Sequence, residues 1–136
     1  MKRSEAREQA FLLVFELGFH DDRTVYEIIT GATESRDLEV DDFARVLAQK
    51  TGDMRIQLDD MINRYSSKWK VDRLSAVAVA LLRMSICEIL YVEDVPHGVT
   101  INEAVELAKK YGGDEDAPFI NGVLGAFVRD QEGSKN

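Results

Sequence analysis

The segment Leu74–Val92, LSAVAVALLRMSICEILYV, constrains the fold of this chain more than any other. Apolar residues lie on every side of its helical wheel, and only Arg83 and Glu88 are charged. A helix without a polar face is either a membrane span or the buried centre of a helical domain. The length would permit a span of ~20 residues. Arg83 in mid-segment and the dilution by alanine and serine argue against one. The expectation is therefore a central helix with other helices packed around it. Arg83 and Glu88 stand at i,i+5 and do not pair well with each other, so each needs a partner on a neighbouring helix.

At 136 residues the chain is long enough to bury one core without staples. Hydrophobic content of 45% and charged content of 31% are ordinary for a globular protein. Cys87 is the single cysteine and cannot form an internal disulfide, and the N-terminus carries no signal-peptide pattern. Together these point to a cytoplasmic protein. The balance of 17 bases against 25 acids, a net charge of −8, speaks against a stand-alone nucleic-acid binder. Any RNA contact has to come from a local basic spot, such as Lys2, Arg3 and Arg7; Glu34–Asp42, by contrast, holds five acids and one base.

Helical spacing runs through most of the chain. From Ser4 to about Phe19, Ala6, Ala10, Leu13, Val14 and Leu17 define one buried face, while Phe11, Phe15 and Phe19 form a second stripe. That stripe fits either a helix between two packed layers or a face that docks another protein. Thr24…Glu27 has capping-box spacing for a short helix to about Glu34, and an acidic linker ends at Asp41 as the next cap. Phe43 to Tyr65 predicts one long helix of about two dozen residues, roughly 36 Å, interrupted in propensity at Gly52. After a break at Ser66–Lys70, Asp72 can cap the central helix. Trp69, between two lysines, reads as a packing anchor or as a base-stacking ring. Pro96-His97-Gly98 is a further break, Thr100…Glu103 a second capping box, Glu106–Lys110 an i,i+4 pair, and Gly112-Gly113 a stop. The last helix is expected from about Ala117 to Asp130, with Pro118 in its first turn and a frayed tail from Gln131. Its Asn121, Gly122, Gly125 and Arg129 fall opposite the apolar face; glycines there suit a closely approaching backbone or ligand.

No catalytic constellation is visible. His20 and His97 lack a second ligand at metal spacing, and Cys87 in the most apolar stretch reads as a small hydrophobe. No metal, no cofactor and no enzymatic activity are expected.

Certain motifs say more than periodicity does. Leu82-Arg83-Met84…Glu88-Ile89-Leu90, Asp94-Val95-Pro96, Ile101-Asn102-Glu103-Ala104-Val105-Glu106-Leu107-Ala108-Lys109 and Phe119-Ile120-Asn121-Gly122-Val123-Leu124 occur in that order. With the start Arg3…Ala6-Arg7-Glu8, they make the chain resemble the bacterial transcription antitermination factor NusB family over essentially its whole length. The resemblance implies an all-α fold of two small helical bundles packed side by side around the central helix. It implies one NusB-like domain over residues 1–136, with approximate halves 1–70 and 71–131 and a frayed tail at 132–136. It also implies binding of boxA RNA together with NusE, a ribosomal small-subunit protein, in the RNA polymerase antitermination complex on ribosomal RNA operons.

By the same resemblance, the RNA-binding residues are Lys2, Arg3, Arg7, Asp114, Glu115, Phe119 and Asn121. The arginines would hold phosphates and Phe119 would stack on an unpaired base, unless its ring is plain core. Ser4 and Glu5 stand where the family carries further arginines, which thins the basic patch. The partner-binding residues are Phe15, Phe19, Asp72 and Ala78; Ala78-Val79 replace an acid–base pair that many relatives carry. The alternative is a homodimeric interaction module that uses the phenylalanine stripe and has no RNA role. Arg7→Ala is expected to weaken RNA binding and spare NusE binding, unless Arg7 supports the fold.

Overall fold

The computed structural model describes residues 1–20, 22–36, 39–66 and 69–133, with the side chains of 32–36 outside that description. Its described residues form seven α-helices and one short 3-10 turn, with no strand. The helices are α1 (Arg3–Leu17), α2 (Val25–Arg36), α3 (Asp42–Asp53), α4 (Arg55–Tyr65), α5 (Ala76–Tyr91), α6 (His97–Tyr111) and α7 (Asp116–Gly133). The 3-10 turn, Val71–Arg73, precedes α5.

Helix α5 is the hub, as its apolar wheel requires. It packs against α6, α7, α1, α3 and α4. Leu81, Leu82, Met84, Ile86 and Cys87 are all 1% exposed or less. Burial also pushes the Cys87 thiol above its ordinary range, since an anion in that setting loses its water. No helix of the described residues is long and apolar enough to cross a membrane. Around the hub, α1 packs with α2 and α3, and α6 packs with α7. Helix α4 lies against α5 and α7 and also meets α3.

Several helix ends follow local chemistry. Thr24 and Glu27 form a reciprocal capping box: the Thr24 N–H and hydroxyl donate to Glu27 Oε1, and the Glu27 N–H donates to Thr24 Oγ1, each at 3.1 Å. Asp41 caps α3 by accepting from the Phe43 N–H at 2.9 Å. Other ends differ from the sequence reading. The expected helix from Phe43 to Tyr65 breaks at Met54, whose φ of −104° and ψ of 18° leave the helical region. Two residues explain the break. The Thr51 hydroxyl donates to the Leu47 carbonyl at 2.7 Å, a bond that bends helices, and Gly52 follows it.

Ser75, not Asp72, caps α5, accepting from the Ala78 N–H at 3.0 Å. Thr100 is no cap either: α6 already begins at His97, behind Pro96. The last helix persists beyond Asp130 to Gly133, and residues 134–136 of the expected tail lie outside the described residues. So do 37–38 of the acidic linker and 67–68 of the break before Trp69.

Gly52 also answers a packing demand. A Cβ built there would stand 2.3 Å from Val25 Cγ2 and 2.9 Å from Leu17 Cδ2, so α3 approaches α1 and α2 too closely for any side chain.

Candidate nucleic-acid and partner interfaces

The basic start of α1 does not act as one patch. Lys2 is the exposed N-cap residue, and Arg3 is exposed at the first helical position. Arg7, one turn further, points inward and is only 3% exposed. Its Nε donates to both carboxylate oxygens of Glu88, at 2.9 and 3.0 Å, and the Thr100 hydroxyl donates to Glu88 Oε2 at 2.8 Å. The expectation that Arg7 holds an RNA phosphate is therefore corrected. A buried carboxylate on α5 needs a cation, and Arg7 on α1 supplies it. Arg83 finds its partner as well: its Nε and Nη2 donate to the two oxygens of Asp59 on α4, at 2.7 and 2.8 Å.

Helix α1 is tied to the far end of α6 through Glu8. Its carboxylate accepts from the Lys110 ammonium and the Tyr111 hydroxyl. Those two bonds, that to Lys110 first, hold the Glu8 carboxyl below its ordinary pKa and raise those of both partners. The i,i+4 pair expected between Glu106 and Lys110 is replaced, because Lys109 takes Glu106 at 3.4 Å.

The turn from α6 to α7 is built on Asp116. Its Oδ2 accepts from the Gly113 N–H at 2.9 Å, while its own N–H donates to the Gly113 carbonyl at 3.1 Å. Asp116 Oδ1 accepts from the Ser75 hydroxyl at 3.1 Å, which fixes the turn to the start of α5. Asp114 and Glu115 are thereby held on an exposed turn. Asp114 and Asn121 share a cavity of about 620 Å³ with Val105, Lys109 and Pro118. Phe119 is half-buried against the core and does not line that cavity. No neighbour stands within 4 Å of a Cβ built at Gly122, so this glycine, unlike Gly52, meets no packing demand from the described residues.

A second, smaller cavity of about 180 Å³ opens where the end of α1 meets the start of α5. Val14, Phe15, Phe19, Val71, Val79 and Arg83 line it. The phenylalanine stripe passes from core to surface along α1: Phe11 is 1% exposed, Phe15 is half-buried and Phe19 is 62% exposed. Phe15 and Phe19 meet edge-on, with ring centroids 5.0 Å apart. Ala78 does not belong to this surface. It is 1% exposed and faces the core, whereas Ala76 and Val79, on the outer side of the same turn, line the cavity. Asp72 is exposed on the 3-10 turn beside Val71.

Sequence reasoning missed two residues of these surfaces, Lys109 and Asp116. Lys109 stood in plain view as one of two lysines in the last turn of α6. Asp116 carries no sequence signal for its role, because its bond to Ser75 spans forty-one residues. Trp69, expected as a packing anchor or a stacking ring, is 49% exposed and outside the core cluster.

The class defined by these features is an all-helical domain built around one buried helix, with two separate candidate surfaces. The NusB family model matches residues 4–129, and the chain belongs to the NusB family. It is 39% identical over 134 residues to the transcription antitermination protein NusB of Bacillus subtilis, covering 98% of this chain and 100% of that protein. To the protein of the same name from Natranaerobius thermophilus it is 38% identical over 128 residues, covering 91% and 92%. The solved structure of T. maritima NusB is similar with a TM-score of 0.80 and 31% identity, over 95% of this chain and 92% of that one. A chain in the crystal structure of antitermination factors NusB and NusE in complex with dsRNA shares the fold at a TM-score of 0.81 and 24% identity, over 94% and 96%.

Proposed function

We propose that this chain is an RNA-binding transcription antitermination factor for ribosomal RNA operons that binds boxA RNA as a heterodimer with NusE. It works within the RNA polymerase antitermination complex, in the cytoplasm, and has no catalytic role. The carrying observation is family membership over residues 4–129, with relatives named transcription antitermination protein NusB 38–39% identical across nearly their full lengths.

The RNA surface in this reading comprises Lys2 and Arg3 at the start of α1, with Lys109, Asp114, Glu115, Phe119 and Asn121 around the α6–α7 turn. Lys2, Arg3 and Lys109 are few bases for a chain of net charge −8. Each phosphate contact adds to affinity, so so small a set binds RNA weakly by itself. NusE supplies the remainder, seated on the Phe15–Phe19 cavity with Asp72 at its edge. The exposed Phe19 ring also supports a second reading, a homodimer through that cavity.

The test is a fluorescence-anisotropy titration of a labelled boxA RNA at fixed salt, with and without NusE. Weak binding alone and at least tenfold tighter binding with NusE is the expected result. No RNA binding in either condition contradicts the proposal.

A further inference from the structure

With Arg7 consumed by Glu88, Arg3 is the one arginine of α1 whose side chain reaches solvent. An exposed arginine on a protein with 25 acids would ordinarily find a carboxylate. Among the described residues none pairs with it. Asp42, an exposed acid at the start of α3, pairs with Arg45 at 2.8 Å instead. What Arg3 meets is a ring: its guanidinium carbon lies 4.0 Å from the centroid of Phe43. The Arg7 guanidinium carbon lies 5.8 Å from the same centroid.

The ring is well anchored. Phe43 is half-buried against the core in the first turn of α3. Gln9 of α1 clamps that end of α3: its amide donates to the Glu39 carbonyl at 2.9 Å and accepts from the Asp41 N–H at 2.8 Å. Asp41 in turn accepts from the Phe43 N–H. The start of α3 is thereby fixed beneath the first turn of α1.

We propose that Phe43 is a positioning residue for RNA recognition, its ring holding the Arg3 guanidinium ready for a phosphate of the transcript. This rests on the RNA-binding reading above. A carboxylate partner would also order Arg3, but it would neutralise the charge and occupy the N–H donors. The face of an aromatic ring attracts the cation and takes no N–H edge, so the donors stay available. Restricting a long side chain beforehand removes part of the ordering cost that binding otherwise carries. The device also compensates for a thin patch: one pre-placed arginine does more than one free in solution.

The test measures affinity for a boxA RNA in the presence of NusE for wild type, Arg3→Ala, Phe43→Leu, Phe43→Tyr and the Arg3→Ala/Phe43→Leu double variant, with NusE affinity and melting temperature in parallel. Phe43→Leu is expected to weaken RNA binding roughly two- to fivefold while NusE affinity stays unchanged. Phe43→Tyr keeps wild-type affinity, and the double variant binds like Arg3→Ala alone. Phe43→Met, which refills the site without a π face, is read in the same way if Phe43→Leu does not fold. Wild-type affinity in the Leu or Met variant, or additive losses in the double variant, overturns the proposal while leaving the RNA-binding reading intact. Failure of wild type itself to bind the RNA overturns both.

Discussion

Arg7 and Glu88, eighty-one residues apart, are joined by a buried ion pair that fastens the N-terminal helix to the central one. Thr100 completes the arrangement from α6, so one carboxylate organises three helices. Removing one member of a buried pair leaves the other charge uncompensated, at a cost of about 3–5 kcal/mol. Arg7→Ala is therefore expected to lose that much stability in a urea titration, and to lose RNA and NusE binding together because the fold fails. A loss below about 1 kcal/mol, with only RNA binding affected, would restore Arg7 to the RNA surface.

Gly52→Ala tests the closeness of α3 to its neighbours. Helix propensity alone favours alanine by about 1 kcal/mol. The new methyl, however, would collide with the branched and buried Val25 and with Leu17. Overpacking of this kind costs about 1–3 kcal/mol, so a net loss of stability is expected by denaturant unfolding. A stabilised variant would show that the three helices are less tightly packed than described.

Much of this scaffold was legible in the sequence, because period and polarity are local. The wheel of Leu74–Val92 identified the hub, and the i,i+5 spacing of Arg83 and Glu88 required outside partners, which Asp59 and Arg7 are. The direction of individual side chains was not legible. Arg3 and Arg7 share one face of α1, both beside the Phe43 ring, yet Arg7, one turn further in, is covered and bound to Glu88 while Arg3 at the helix start stays exposed. Ala78 and Val79 are adjacent and stand about 100° apart round the helix, so Ala78 enters the core while Val79 is only partly covered. The break at Met54 depended on a side chain bonding back to its own helix, and the role of Asp116 on a contact forty-one residues distant.

The Glu8 cluster sets a pH dependence. Its carboxyl is held below the ordinary 4.5, so its contribution is present above that value and fades as pH falls through and below it. Lys110 and Tyr111 are raised above 10.5 and 10.0, so theirs is present at lower pH and fades as pH rises past these values. Glu8→Gln should flatten both limbs of a plot of melting temperature against pH, relative to wild type. An unchanged acid limb would show that Glu8 does not hold α1 to α6.

Phe19 separates docking from folding. At 62% exposure its ring adds little to the core. Phe19→Ala is expected to shift stability by less than about 1 kcal/mol and to weaken NusE binding at least tenfold, measured by calorimetry. If sedimentation shows a wild-type dimer that this variant dissolves while NusE binding persists, the cavity serves self-association.

RNA and partner are proposed to occupy two separate surfaces of one helical domain. Amide hydrogen exchange of the chain, free, with boxA RNA, with NusE, and with NusE plus boxA RNA, tests this most directly. NusE is expected to protect residues 14–19 and 71–80, and addition of RNA to extend protection to residues 2–6 and 112–121. Protection of residues 14–19 by RNA in the absence of NusE, with none at 112–121, would contradict it.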